Sequence, residues 1–208
     1  MFEIFLFINP IGIYCYEIEK RIQKAIKDLD LDVCYHFVPV ATVGTVQEDL
    51  IRRRRNSQQL CDLSYFTLAT NHALEDYHAI KLAYGNKRAR KFLFALQQYL
   101  NEDGTTFSCQ LVEKIYQEIG LNKATIQEFK SSEYIRDSID QDQKLANQWQ
   151  IKKTPTIIIF NEEKESDSGI LLEGLVSQND LYKLLTPDNE HDDEYSNNLV
   201  TANHLRLV

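Results

Sequence analysis

The chain has 208 residues, with 31 acidic side chains against 23 Lys and Arg, for a formal net charge of −8. That balance argues against nucleic-acid binding, which needs a basic face, while 43% hydrophobic residues suffice for a sizeable core. No apolar run approaches the ~20 residues that span a bilayer, so no membrane association is expected.

The N-terminal "MFEIFLFINPIGIY" carries Glu3 and lacks both a basic leading segment and a small-residue cleavage site. It reads as a strand and not a signal peptide, and a cytoplasmic protein is expected. Within it, "EIFLFI" is a short continuous apolar run of the kind buried on both faces of a sheet, broken by Asn9 and Pro10. A helix follows: Ile18, Ile22, Ala25, Ile26 and Leu29 share one face of a 3.6-residue period. "LDVCYHFVPV" is a second strand, ended by Pro39. Strand, helix and strand in about forty residues make a right-handed βαβ unit with parallel strands.

Residues 45–149 read as helical. Phe92, Leu93, Leu96 and Leu100 form one stripe, and Phe107, Leu111, Val112, Ile115 and Ile119 a second, closed by Gly120 as a C-cap. Ile135, Ile139, Ala146 and Trp149 form a third. "TPTIIIF" is the clearest strand; "NEEKESDSG" is a polar hairpin loop, "GILLEGL" the partner strand, and "SQNDLYKLL" a closing helix capped by Ser177. "TPDNEHDDEYSNN" has five acids and no Lys or Arg, the composition of a flexible tail, and the final "LVTANHLRLV" either docks back or stays loose. Residues 1–44 and 150–186 thus form an α/β domain, 45–149 a helical insertion and 187–208 a tail.

The order β-α-β, helical block, β-β-α is the thioredoxin plan. "FINPIGIYCY" before an amphipathic helix, together with "DQKLANQWQIKKTPTIIIF", resembles the DsbA family over residues 2–185. Within that family the chain is similar to the cytoplasmic Gram-positive dithiol-disulfide isomerase subgroup, which includes the adaptor that delivers the regulator Spx to the ClpXP protease. The resemblance implies a cis Pro155 facing the first helix, and a binding site of Gly12, Tyr14, Cys15, Thr154 and Pro155.

Disulfide exchange needs a nucleophilic cysteine at a helix N-terminus, where the dipole favours the thiolate, and a resolving cysteine one turn on. Gly12 stands in the nucleophile's place and Cys15 matches the resolving position, so the attacking atom is missing. Cys15 is expected to be a small buried hydrophobe, or else a monothiol sensor or residual catalyst. Thr154 backbone groups remain available to pair with an extended peptide. The leading expectation is a protein-binding adaptor for a regulator or a protease component. The alternative is a thiol oxidoreductase or isomerase working through Cys15, and a third is a glutathione transferase using Asn9 or Tyr14.

Arg52, Arg53, Arg54 and Arg55 follow Gln47, Glu48 and Asp49 on one helix. They read as a solvated face, or as a patch that docks an anionic partner or the acidic tail. Cys15, Cys34, Cys61 and Cys109 are widely spread, and His36, His72, His78, His191 and His204 make no ligand pattern with them. Reduced thiols, no metal and no cofactor are expected.

Overall fold

The computed structural model describes residues 1–55, 63–161 and 169–186 and the backbone of 206–207. Side chains of Arg54 and Arg55, Cys61, most of the "NEEKESDSG" loop and residues 187–205 lie outside it.

Strand β1 (Phe2–Ile8) is the axis of the sheet. It pairs in parallel with β2 (Val33–Pro39) and antiparallel with β3 (Thr156–Asn161), which pairs antiparallel with β4 (Ile170–Glu173). A two-residue β5 (Arg206–Leu207) pairs antiparallel with β4, so the sheet order is β2-β1-β3-β4-β5. The end of the chain therefore docks back on the sheet edge. Alternation along β1 sends Ile4, Leu6 and Ile8 into one core and Phe7 into a second on the opposite face, with Phe5 packed beside it. That two-sided burial is why the segment reads as a continuous apolar run.

Helix α1 (Ile13–Asp28) crosses between β1 and β2 and buries Ile18, Ile22 and Ala25 on the first core. α8 (Gln178–Leu185), capped by Ser177 through Asp180 N at 3.1 Å, lies against α1. Gln178 Nε2 donates to Arg21 O at 3.1 Å and Tyr182 Oη to Asp28 Oδ2 at 2.6 Å.

The insertion consists of α2 (Val43–Arg55), α3 (Leu63–Tyr84), α4 (Asn86–Asn101), α5 (Cys109–Glu118), α6 (Lys123–Lys130) and α7 (Tyr134–Gln148). Three apolar stripes predict only part of this. α3 is buried around much of its circumference: beside the row of Phe66, Ala69, Ala73, Tyr77 and Ile80 it also buries Thr70, Leu74, Asp76, His78 and Ala79, so it shows no single apolar stripe. α6 is eight residues long, set off from α5 by Gly120 at φ 71° and capped by Asn122. One continuous core joins β1, α1 and the insertion helices α2 to α6, while Ala146 of α7 and Trp149 pack on the sheet's other face beside Phe5 and Phe7. No helix among the described residues is long and apolar enough to cross a membrane.

Candidate functional site

The turn between β1 and α1 is held from within and from two insertion helices. Asn9 is buried and its Oδ1 accepts from Ile11 N at 3.1 Å, while its carbonyl accepts from Gly12 N at 3.0 Å. From α4, the fully buried Gln97 donates to the Pro10 carbonyl at 3.0 Å. From α2, Asp49 Oδ1 accepts from Ile13 N at 3.1 Å, and Arg53 donates to Asp49 Oδ2 at 2.7 Å and to the Ile11 carbonyl at 2.5 Å. A cavity of about 250 Å³, lined by Ile11, Arg53, Tyr65, Phe66 and Phe107 among others, opens beside this arrangement.

Gly12 is the N-cap of α1 and offers no side-chain cap. Its missing Cβ has a steric reason: an added carbon would lie 2.8 Å from Cys15 Sγ and 3.2 Å from Asn9 Cβ. The Cys15 sulfur thus fills the space beside the position where a nucleophile would stand. Cys15 is 1% exposed, and its pKa is pushed up to about 12 by burial first and by the Asp49 carboxylate second. Hydrogen bonds from the Asn9 backbone and the Thr154 side chain, and the charge of Arg52, work the other way without overcoming burial. The positive end of α1, which in a thiol exchanger stabilises a thiolate, is here occupied by a carboxylate.

The Thr154–Pro155 bond is cis, and both residues are buried. Cys15 lies against Gly12 and hydrogen-bonds the Thr154 side chain. Gly12, Cys15, Thr154 and Pro155 are all buried and do not form an open groove. Arg52 Nη1 donates to the Thr154 carbonyl, its Nη2 donates to Glu48 Oε1 at 2.8 Å, and its guanidinium lies 5.3 Å from the Tyr14 ring centroid. The expectation of a free Thr154 carbonyl is corrected: that acceptor is taken from within the chain.

The arginine run needs the same correction for two of its members. Arg53 is 8% exposed and packs over Phe66, and Arg52 is half-buried. Their acids at i−4 turn them inward, so neither is part of an open docking patch. Asn9 is used up in the turn and Tyr14 lies under Arg52, which removes the ground for either as an activating group for glutathione. Asp49 and Gln97 escape a reading of the sequence. The sequence shows Asp49 only as an acid four residues before Arg53, and no local spacing marks Gln97.

Cys15, Cys34 and Cys109 are free thiols; Cys15 is buried and the other two are exposed.

A parallel pair, an antiparallel hairpin, a cis-proline loop facing the start of α1 and a helical insertion define a DsbA-like thioredoxin fold. A family model described as Thioredoxin matches residues 5–183, and the chain belongs to that family. The "ClpXP adapter protein SpxH" of Staphylococcus saprophyticus is 22% identical over 174 residues, 83% of this chain. The match spans 60% of that relative's length. Three solved structures share the fold. The thiol-disulfide exchange protein alpha-DsbA2 from Wolbachia pipientis is 18% identical, with 88% of this chain and 79% of that one covered at a TM-score of 0.57. A periplasmic thioredoxin-like protein from Salmonella enterica serovar Typhimurium is 14% identical, with 88% and 83% covered at 0.58. The cytosolic disulfide reductase DsbM from Pseudomonas aeruginosa is 18% identical, with 87% and 92% covered at 0.51.

Proposed function

We propose that this chain is a protein-binding adaptor built on the DsbA-like fold, acting in the cytoplasm, that does not turn over disulfides by the dithiol route. The observation that carries the proposal is the state of Cys15. It is sealed at 1% exposure with its pKa pushed up to about 12, and the residue one turn earlier is Gly12. A thiol held so far above neutrality does not supply the thiolate that attacks a disulfide. The fold, the cis-proline loop and the turn are retained while the chemistry is switched off.

The name of the SpxH relative suggests the partners: a ClpXP-type protease and a regulator that it degrades. Where the partner contributes an extended segment, it displaces the Arg52 guanidinium from the Thr154 carbonyl and pairs there as an added strand.

The test uses purified ClpXP and Spx-type regulator from the organism that carries this chain. Degradation of the regulator is expected to accelerate when the chain is added, and to do so equally with Cys15→Ser. Insulin reduction by the wild type is expected at the background rate. Unchanged degradation, together with insulin reduction that Cys15→Ser abolishes, overturns the adaptor reading in favour of a thiol oxidoreductase.

A further inference from the structure

Where edge strand β2 meets the start of β1, far along β1 from the cis-proline loop, three side chains of different chemistry converge. In a strand, residues two apart point to the same face, so Cys34 and His36 of β2 are neighbours on one side of the sheet. The parallel register pairs Glu3 of β1 with Cys34 and Phe5 with His36. Glu3 thereby joins the same face. Cys34 Sγ lies 3.3 Å from His36 Nε2, and the same Nε2 lies 2.9 Å from Glu3 Oε1. All three donor atoms fall within 4.8 Å of one another. Phe5 stacks on the imidazole at 4.2 Å between centroids and 10° between planes, which fixes the ring's direction.

One imidazole nitrogen carries either a single hydrogen or a single lone pair. It therefore cannot make a full hydrogen bond to a thiol and a carboxylate at once, although both are within reach. A cation removes the conflict, because nitrogen lone pair, thiolate and carboxylate can all donate to it. Zinc bonds of about 2.3 Å to sulfur and about 2.0–2.2 Å to nitrogen and oxygen, set tetrahedrally, place sulfur and nitrogen about 3.6 Å apart and nitrogen and oxygen about 3.4 Å apart. The sulfur–nitrogen and nitrogen–oxygen separations, 3.3 Å and 2.9 Å, open toward those values by movements of about half an ångström or less, and sulfur and oxygen lie within 4.8 Å of each other.

We propose that Glu3, Cys34 and His36 bind a thiophilic divalent cation of the zinc class, with the fourth position open to solvent or to an outside ligand. The sequence reading expects no metal, because Cys34 and His36 alone make no ligand motif; the carboxylate arrives from another strand. Mixed sulfur, nitrogen and oxygen donors select borderline metals over magnesium or calcium. Binding takes a proton from the Cys34 thiol and uses the His36 nitrogen lone pair, so metal uptake releases protons.

Cobalt(II) titration of the full-length, reduced, chelator-free protein tests this. One equivalent is expected to produce a sulfur-to-cobalt charge-transfer band that zinc displaces. Cys34→Ser abolishes the band. His36→Ala and Glu3→Gln each weaken uptake by at least about tenfold, the lower end of what even outer-shell partners cost a metal site. Cys109→Ser leaves uptake unchanged. Circular dichroism checks that the variants stay folded. Absence of stoichiometric uptake overturns the proposal, as does a band that survives Cys34→Ser. Unchanged affinity in both His36→Ala and Glu3→Gln does the same, since it reduces the site to a lone thiol.

Discussion

Arg52 donates a hydrogen bond to the carbonyl oxygen of Thr154, tying insertion helix α2 to the loop that precedes β3 across 102 positions of sequence. Thr154 is 4% exposed, so this acceptor has little access to water. Losing a partner to a buried acceptor costs about 1–3 kcal/mol. Arg52→Ala is expected to lower stability by about that amount in urea unfolding, while a fully exposed arginine would change it by less than ~0.5 kcal/mol.

Gly12→Ala and Gly12→Cys separate space from chemistry. Alanine puts a carbon 2.8 Å from Cys15 Sγ, an overpacking expected to cost about 1–3 kcal/mol. Cysteine adds the same carbon but also a sulfur beside the Cys15 thiol. Under oxidation Gly12→Cys is expected to lose two titratable thiols by disulfide formation, and to melt higher than its own reduced form. An oxidised variant that keeps all its thiols shows that the two positions do not face each other.

Glu19 is fully buried and accepts from Arg90 Nε at 2.9 Å and from Gln23 Nε2 at 3.0 Å, while Arg90 stacks 4.3 Å from the Tyr35 ring centroid. Removing one partner of a buried pair typically costs about 3–5 kcal/mol because a charge is stranded. Arg90→Met is expected to fall near the lower end, since burial already raises the Glu19 carboxyl pKa and eases its protonation. Adding Glu19→Gln is expected to restore most of the loss. A double variant no more stable than Arg90→Met would show that packing over Tyr35, and not the ion pair, matters.

His78 is fully buried, with Nδ1 2.8 Å from Ser138 Oγ and Nε2 3.6 Å from Asp142 Oδ2. Burial, then the charge of Lys81, lowers its pKa to about 3. The unfolded imidazole takes a proton below about 6.5, so between these values the unfolded state binds more protons. The contribution of His78 is complete above pH 6.5 and is lost as pH falls, at up to about 1.4 kcal/mol per unit. Glu19 and Asp142, whose pKa values burial raises, act with the opposite sign. The diagnostic is therefore a difference: from pH 6.5 to 4.5, His78→Gln is expected to lose about 2 kcal/mol less than the wild type. Parallel pH profiles would mean that His78 is charged in the folded protein.

The sheet and its first helix were legible because each element carries its own evidence. β1 is continuously apolar since both its faces are covered, and α1 shows a clean stripe since it buries one face. Gly120 and Ser177 announced helix ends through local backbone needs. α3 hid its boundaries because a helix packed on many sides has no periodic signal. At the site, Gly12, Cys15, Thr154 and Pro155 could be read along the chain, and so could the acids that precede the arginines. That Arg52 and Arg53 turn inward, that Asp49 occupies the start of α1, and that Glu3 meets Cys34 and His36 were decided only by tertiary structure. Each depends on which surface an i, i+4 pair faces or on a strand register. Those are set by the packing of segments tens of residues apart and leave no trace in local spacing.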